Sequence, residues 1–321
     1  MFDVITIGSA TRDVFLVSDK FIALKSKRFP TGAGECVALG SKIDVDELVL
    51  TTGGGATNAA ATLASLGLHT ATMTRIGDDS TGKDIVDDLS RFGVSTHFVR
   101  MVKGGQSAFS VLLTMKNGER TVLVYRGVSA AFEPKDVHWE GCKQTKWIYL
   151  TSLGGNIALS KKIIRHAAQC GVKVFWNPGK AELHAGMNAL APVLAQVDVL
   201  TMNLEEAKLL TGKRTTAAML QALSLSGKIR LITNGTDGSY AWYEKQILHA
   251  GTSGVKAISR TGAGDAFGSG FLAGLIKQND VRYALTLGTL NAESVITEHG
   301  AKNGILTSWP SASAIQKIQI L

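Results

Sequence analysis

Beyond residue 146 the apolar positions follow a repeating order: a short apolar run, a polar break, then apolar residues at helical spacing. Residues 146–150, 172–176, 197–201 and 229–233 read as strands. Between them, residues 159–170 and 204–210 read as helices, the second stopped by Gly212. Strands alternating with helices predict an α/β fold with a mainly parallel sheet. Residues 4–7 and 71–76 carry similar short runs and are expected to join that sheet.

Two stretches break the order. Residues 15–50 and 97–125 hold strand-like runs with no helices between them. In the second, residues 108–115 followed by Lys116-Asn-Gly118 predict a hairpin. Periodicity alone gives these as extra strands and does not say where they lie. No repeat, low-complexity tract or linker divides the 321 residues, so one domain is expected.

Composition narrows the class. With 45% apolar and 19% charged residues, 35 Gly and 5 Pro, the chain is globular rather than disordered or collagen-like. No apolar run reaches the length of a membrane span, and the first eight residues read as a strand rather than a signal leader. Cys36, Cys142 and Cys170 are scattered and odd in number, which fits neither a disulfide framework nor a zinc site; a cytoplasmic protein is expected. The net charge is +8, yet the densest basic cluster, residues 20–28, is broken by Phe21, Ile22, Ala23 and Leu24. Without a nucleic-acid module no such partner is expected, while a basic bias suits an anionic nucleotide.

The candidate chemistry gathers in two glycine turns. Thr261-Gly-Ala-Gly-Asp-Ala-Phe267 leads into a helix-like stretch through Gly274. Its small residues allow close backbone approach, and the N–H groups of Ala263, Gly264 and Asp265 at a helix start can point at an anion. Asp265 beside them could take the proton of a hydroxyl attacking a phosphate. By itself the same run is also an ordinary helix cap. The second turn, Gly53-Gly-Gly-Ala-Thr-Asn58, follows the strand-like residues 46–52 and precedes a small-residue helix, 59–67, closed by Gly67. Two such turns can bring two helix N-termini to one site.

The pair of turns resembles the two signature motifs of the ribokinase-like (PfkB-type) carbohydrate kinases, over essentially the whole chain. The resemblance implies a three-layer α/β/α ribokinase-like fold over residues 1–321, with 15–50 and 97–125 forming a small β-sheet lid. It implies an ATP-dependent sugar kinase that uses Mg2+, or alternatively a nucleoside kinase on the same fold, and a homodimer paired through the lid. By this resemblance Asp265 is the base, and the backbone of Gly262, Ala263, Gly264 and Asp265 is the anion hole. Asp13, Gly54 and Asn58 would hold the acceptor. Asn203 and Glu206 would sit near the magnesium-bound phosphates, Glu206 acting through water, with Thr233, Gly235 and Gly238 at the nucleotide. Each also has a bland reading: Asp13 as a turn residue, Asn203 and Glu206 as a capping box, and 233–238 as a hairpin turn. Gly77-Asp-Asp79 with Gly82 reads as capping, and Arg126 is a further candidate substrate contact.

Two departures from the family pattern bear on specificity. Gly55 stands where a common version has lysine, which argues against an already phosphorylated acceptor. Ser259 replaces an acidic residue that serves a monovalent-cation site in many members, so potassium activation is not expected. Arg260 beside it puts positive charge near the nucleotide instead. A dinucleotide oxidoreductase fails because Asn58 and Phe267 stand where the third glycine of that fingerprint belongs. A non-catalytic sensor is disfavoured by the intact Asp265 between its glycines.

Overall fold

Residues 1–224 and 228–321 are described in the computed structural model. Its central sheet runs, from one edge, Gln246–Ala250, Ser239–Tyr243, Ile229–Thr233, Val199–Asn203, Lys173–Trp176, Thr145–Leu150, Phe2–Ile7 and Thr70–Met73. The six strands from Ile229–Thr233 to Thr70–Met73 are parallel, and the two at the other edge are antiparallel. The chain builds outward from Phe2–Ile7 in both directions, so the strand order reverses there. In open α/β sheets a ligand crevice forms at the carboxyl ends of the strands near such a reversal.

Alternating side chains feed two cores. Ile5, Ile148, Val174 and Leu200 point to one face, where helices Ile157–Gln169, Gly186–Leu194, Leu204–Thr211 and Thr216–Leu223 cover them. Val4, Tyr149, Phe175 and Val199 point to the other, beneath helices Gly55–Ser65, Ala263–Gln278 and Val281–Val295. Both faces are therefore dry, which explains the nearly continuous apolar strands. This is the expected three-layer α/β/α architecture.

Residues 71–76 do not form the single strand expected. Thr70–Met73 joins the central sheet, whereas Arg75–Gly77 pairs in parallel with Arg100–Val102. The cause is a buried carboxylate off the sheet edge: Asp136 meets Arg75 Nη1 at 3.0 Å and Arg100 Nε at 2.9 Å. Arg75 can be buried only where that counter-charge exists. Residues 97–107 therefore belong with the core rather than with the second sheet. Asp79 acts as a cap, accepting from Gly82 N–H at 2.8 Å.

The second sheet has the order Arg120–Tyr125, Ala108–Thr114, Thr11–Val17, Glu47–Gly53. Its first segment starts at Thr11 and ends at Gly53, slightly wider than the expected 15–50, and a hairpin of Ile22–Lys25 and Ala33–Cys36 lies within that segment. One face carries Asp13, Phe15, Ser110, Leu112 and Thr114, all buried. Lys302, 4% exposed, anchors this sheet to the core: its Nζ donates to Asp88 at 2.7 Å and to the hydroxyl of Thr52. Burial pushes the Asp88 carboxyl up, but Lys302, Thr52 and Arg91 outweigh it and hold the carboxyl below the usual range. The more deeply buried Lys302 ammonium also ends below its usual range, because burial outweighs the attraction of Asp88.

Asp88→Ala should leave Lys302 buried without a counter-charge and lower stability by about 3–5 kcal/mol in urea unfolding. Arg12→Ala breaks the more exposed pair with Asp84 and should cost less than about 1 kcal/mol. The Asp88 contribution exists above the ordinary carboxylate range and is lost as pH falls through its depressed value. Stability should therefore fall less on acidification in Asp88→Ala than in the parent. Equal losses for Asp88→Ala and Arg12→Ala would contradict the anchor.

Candidate active site

The sheet's strands end in a common cleft of about 330 Å³. Ser9 follows the first strand, Thr151 and Ser152 follow Thr145–Leu150, and Asn177 to Gly179 follow Lys173–Trp176. Thr201, Asn203 and Thr233 come from the ends of the next two strands. Met202, Gly55, Gly262, Gly264, Asp265 and Glu206 complete the wall.

Both glycine turns owe their shape to close backbone approaches. Gly54 has φ 100°, and a Cβ there would lie 2.5 Å from the Ser9 carbonyl oxygen. Gly262 has φ 81°, and its Cβ would meet that of Ala301 at 2.3 Å. Each glycine is the last residue before a helix. The first helix begins at Gly55, four residues earlier than expected, because the break in direction falls at Gly54. Asn58 consequently sits in its first turn, with its N–H on the Gly54 carbonyl at 2.9 Å.

The two helix starts meet through one side-chain bond: Asn58 Nδ2 donates to Asp265 Oδ2 at 2.8 Å. No side chain caps the Ala263–Gln278 helix, so Asp265 is not its N-cap. Of the three amides expected to be open, that of Ala263 makes a long 3.5 Å bond to the Arg260 carbonyl. Among the described residues, the Gly264 and Asp265 amides have no protein acceptor. The start of a sixteen-residue helix thus offers two donors and a positive dipole end to the cleft, beside a carboxylate.

Protein surrounds Asp265 on all sides except the cleft, through which solvent still reaches it. Burial pushes its carboxyl above the usual range, and the Asn58 amide only partly offsets this. Beneath it, buried Tyr149 stacks on Phe175 with ring centroids 4.4 Å apart. Its phenol is pushed up by burial first and by the Asp265 charge second.

Asp13 lies on the second sheet's buried face, opposite Thr51 and Ser110. Burial, with a smaller push from the Asp265 charge, raises its carboxyl to about 6 against the Ser110 hydroxyl and the Lys302 charge. The Asp265 charge therefore reaches Asp13 as a minor effect beside its burial. Asn203 and Glu206 form a reciprocal capping box, each bond 2.9 Å long, and both also face the cleft. Burial pushes the Glu206 carboxyl up despite Asn203 and Lys180. Gly235 and Gly238 lie outside the cleft, in the turn leading from Thr233 to the antiparallel strand at Ser239.

Several cleft residues carried no motif. Ser9, Thr151, Ser152 and Asn177 to Gly179 could have been found only from their place at strand ends. Glu182 gave no signal either. It is fully buried and accepts from Ser152 Oγ at 2.9 Å and from the N–H groups of Leu153, Gly155 and Gly179 at 2.8, 3.0 and 3.0 Å. It ties together the loops after two adjacent strands. Among the described residues no group of three or more His, Cys, Asp or Glu side chains forms a metal cage. A hard cation here would take oxygen ligands from phosphates and water alongside Glu206.

Comparison with known proteins agrees with this layout. Residues 1–308 match the model of the pfkB family carbohydrate kinases. An ATP-dependent ribose-1-phosphate kinase of Halopiger xanaduensis is 31% identical over 270 residues, covering 82% of this chain and 84% of the relative. A ribokinase of Staphylococcus aureus is 26% identical over 311 residues, covering 94% and 96%. Two solved structures share the fold, each covering 98% of both chains. They are an adenosine kinase from Sinorhizobium meliloti (TM-score 0.77, 23% identity) and an Arabidopsis thaliana ribokinase complexed with ribose and ATP (TM-score 0.76, 20% identity). With its signature turns joined at Asn58 and Asp265, the chain belongs to the pfkB family of carbohydrate kinases.

Proposed function

We propose that the protein transfers the γ-phosphoryl group of Mg-ATP to a hydroxyl of a small sugar, with Asp265 as the base. The observation that carries this reading is a half-buried carboxylate that opens to the cleft, caps nothing and stands beside two open amides at a helix start. Asp265 accepts the hydroxyl proton, and Asn58 holds its carboxylate in place. The Gly264 and Asp265 amides, with the Gly262 turn, stabilise charge on the transferring group. Ala263 shapes the turn more than it donates. Asp13 and Asn58 orient the acceptor while Gly54 lets the backbone come close.

Bound Mg-ATP supplies the phosphoryl group and the cation that neutralises it. Asn203, Glu206 and Thr233 line the cleft wall, which supports a role beside its phosphates, and the Gly235 to Gly238 turn continues from Thr233 outside the cleft, toward the rest of the nucleotide. The ribose of a nucleoside is the second reading. Val122 and Val124, on the same face as Asp13, are 42% and 54% exposed and offer a base an apolar wall. Three free cysteines, Cys142 with its thiol pushed up to about 12 by burial, suit a cytoplasmic protein.

The test is ADP release against a panel of pentoses, hexoses, sugar acids, sugar phosphates and nucleosides, repeated across pH. Turnover of at least one sugar with ATP is expected. The KM for that sugar should rise as pH falls below about 6, where Asp13 gains its proton. Asp13→Asn should flatten that rise. No ADP release with any acceptor, or release with nucleosides alone, would refute the sugar-kinase reading.

We also propose a homodimer through the lid. The face opposite Asp13 exposes Leu48, Leu50 and Leu123 at 53–56% each, an apolar strip suited to a second copy. Sedimentation velocity should give a dimer for the parent and a monomer for Leu50→Asp. A parent that stays monomeric at high concentration would remove the proposal.

A further inference from the structure

Two arginines face each other across the seam between lid and core. Arg120 opens the last lid strand, opposite Thr114, which is itself opposite Val17. By that register Arg120 lies on the same face as Asp13 and Phe15. The hairpin tip beside it rests on the core segment that precedes the anion-hole turn: a Cβ on Gly118 would lie 3.5 Å from the Ile258 carbonyl oxygen. Two residues further along that segment is Arg260, exposed and adjacent to Thr261.

Neither arginine forms an ion pair among the described residues. The Arg120 Nε is buried with no hydrogen-bond partner. Burial first, and the charge of Arg260 second, hold the Arg120 guanidinium below its usual range; Glu119 opposes them weakly. A half-buried cation beside a second cation, with a donor left open, is unfavourable until an anion enters.

The inner face of the lid leads from the reacting end of the site to this pair. Phe15 follows Asp13 along the face, and His299 packs on it with ring centroids 5.6 Å apart. Beside this packed pair the inner face is open at Val122 and Val124, 42% and 54% exposed. Val124 is level with Asp13 across Ser110, and Arg120 lies four residues away on the same strand. That is on the order of 13 Å, a gap that an arginine side chain and a sugar with a terminal oxyanion together span.

We propose that Arg120 and Arg260 form an oxyanion site at the far end of the acceptor pocket, so that the preferred acceptor is a sugar carrying a phosphate or carboxylate group. The inference rests on the sugar-kinase reading above. It revises the expectation drawn from Gly55: the cation missing from the first glycine turn is supplied by the lid hairpin and the segment before Thr261.

The test has a binding arm and a turnover arm. In the first, titration calorimetry without nucleotide measures a sugar phosphate, a sugar acid and their neutral parents against the parent protein, Arg120→Ala and Arg260→Gln. Arg260 is exposed, so its substitution leaves the fold intact even if Arg120→Ala does not. The parent should bind one anionic sugar at least tenfold more tightly than its neutral parent, and each variant should lose about tenfold to hundredfold of that affinity. Which of the two anions binds identifies the oxyanion. In the turnover arm, the variants should raise KM for the anionic acceptor and leave KM for ATP unchanged. Equal affinity for charged and neutral sugars would overturn the proposal. So would a rise in the KM for ATP alone, since the arginines would then serve the donor's phosphates. If the parent bound the anionic sugar through both arginines yet released no ADP, the oxyanion site would stand and the kinase reading would fall.

Discussion

The hydrogen bond from Asn58 to Asp265 is the constraint around which the site is organised. It joins the first turns of two helices more than two hundred residues apart in the chain, one starting from a lid strand and the other from the loop that follows Gln246–Ala250. The bond is possible because glycine precedes each helix: at Gly54 the backbone passes against Ser9, and at Gly262 against Ala301. A side chain at either position would push the helix starts apart. With the bond in place, Asp265 is held by a neutral donor instead of a cation. Burial then keeps its carboxyl above the usual range, the condition a base needs to take a proton from a hydroxyl.

The same site depends on a second layer being held over it. The lid reaches the core through the Lys302, Asp88 and Thr52 group, an ion pair buried beneath the lid strand that follows Asp13. Lys302 thereby has two effects: it fixes the lid strand, and its charge lowers the Asp13 carboxyl that burial has raised. Glu182 has a comparable role on the opposite wall, where four donors from two loops converge on one carboxylate. In the proposed reaction, rigid walls of this kind keep the open amides in position for the charge that develops, so little reorganisation is needed.

Much of this was legible in the sequence because the signals were local. Strand–helix alternation gave the parallel sheet, and the two glycine turns gave the helix starts that meet. Asn203 and Glu206, three residues apart, were readable as a cap, and they are one. Misreadings arose where distant partners decide the outcome. Residues 71–76 read as one strand because Asp136, which draws Arg75 and Arg100 off the sheet, lies sixty residues further on. Lys302 carries no signal in the sequence, since nothing near it marks Asp88 as its partner. Ser9, Thr151 and Asn177 gain meaning only from the crevice that the folded sheet creates.

The most direct measurement of the central claim is the chemical step in Asp265→Asn, followed in a single turnover with both substrates bound. Asparagine keeps the size of the side chain and caps a helix about as well as aspartate, so fold and substrate affinity should persist. Without the base, phosphoryl transfer should slow by about 10²–10⁴-fold. A transfer rate close to that of the parent, with affinity unchanged, would place the base elsewhere and contradict the account.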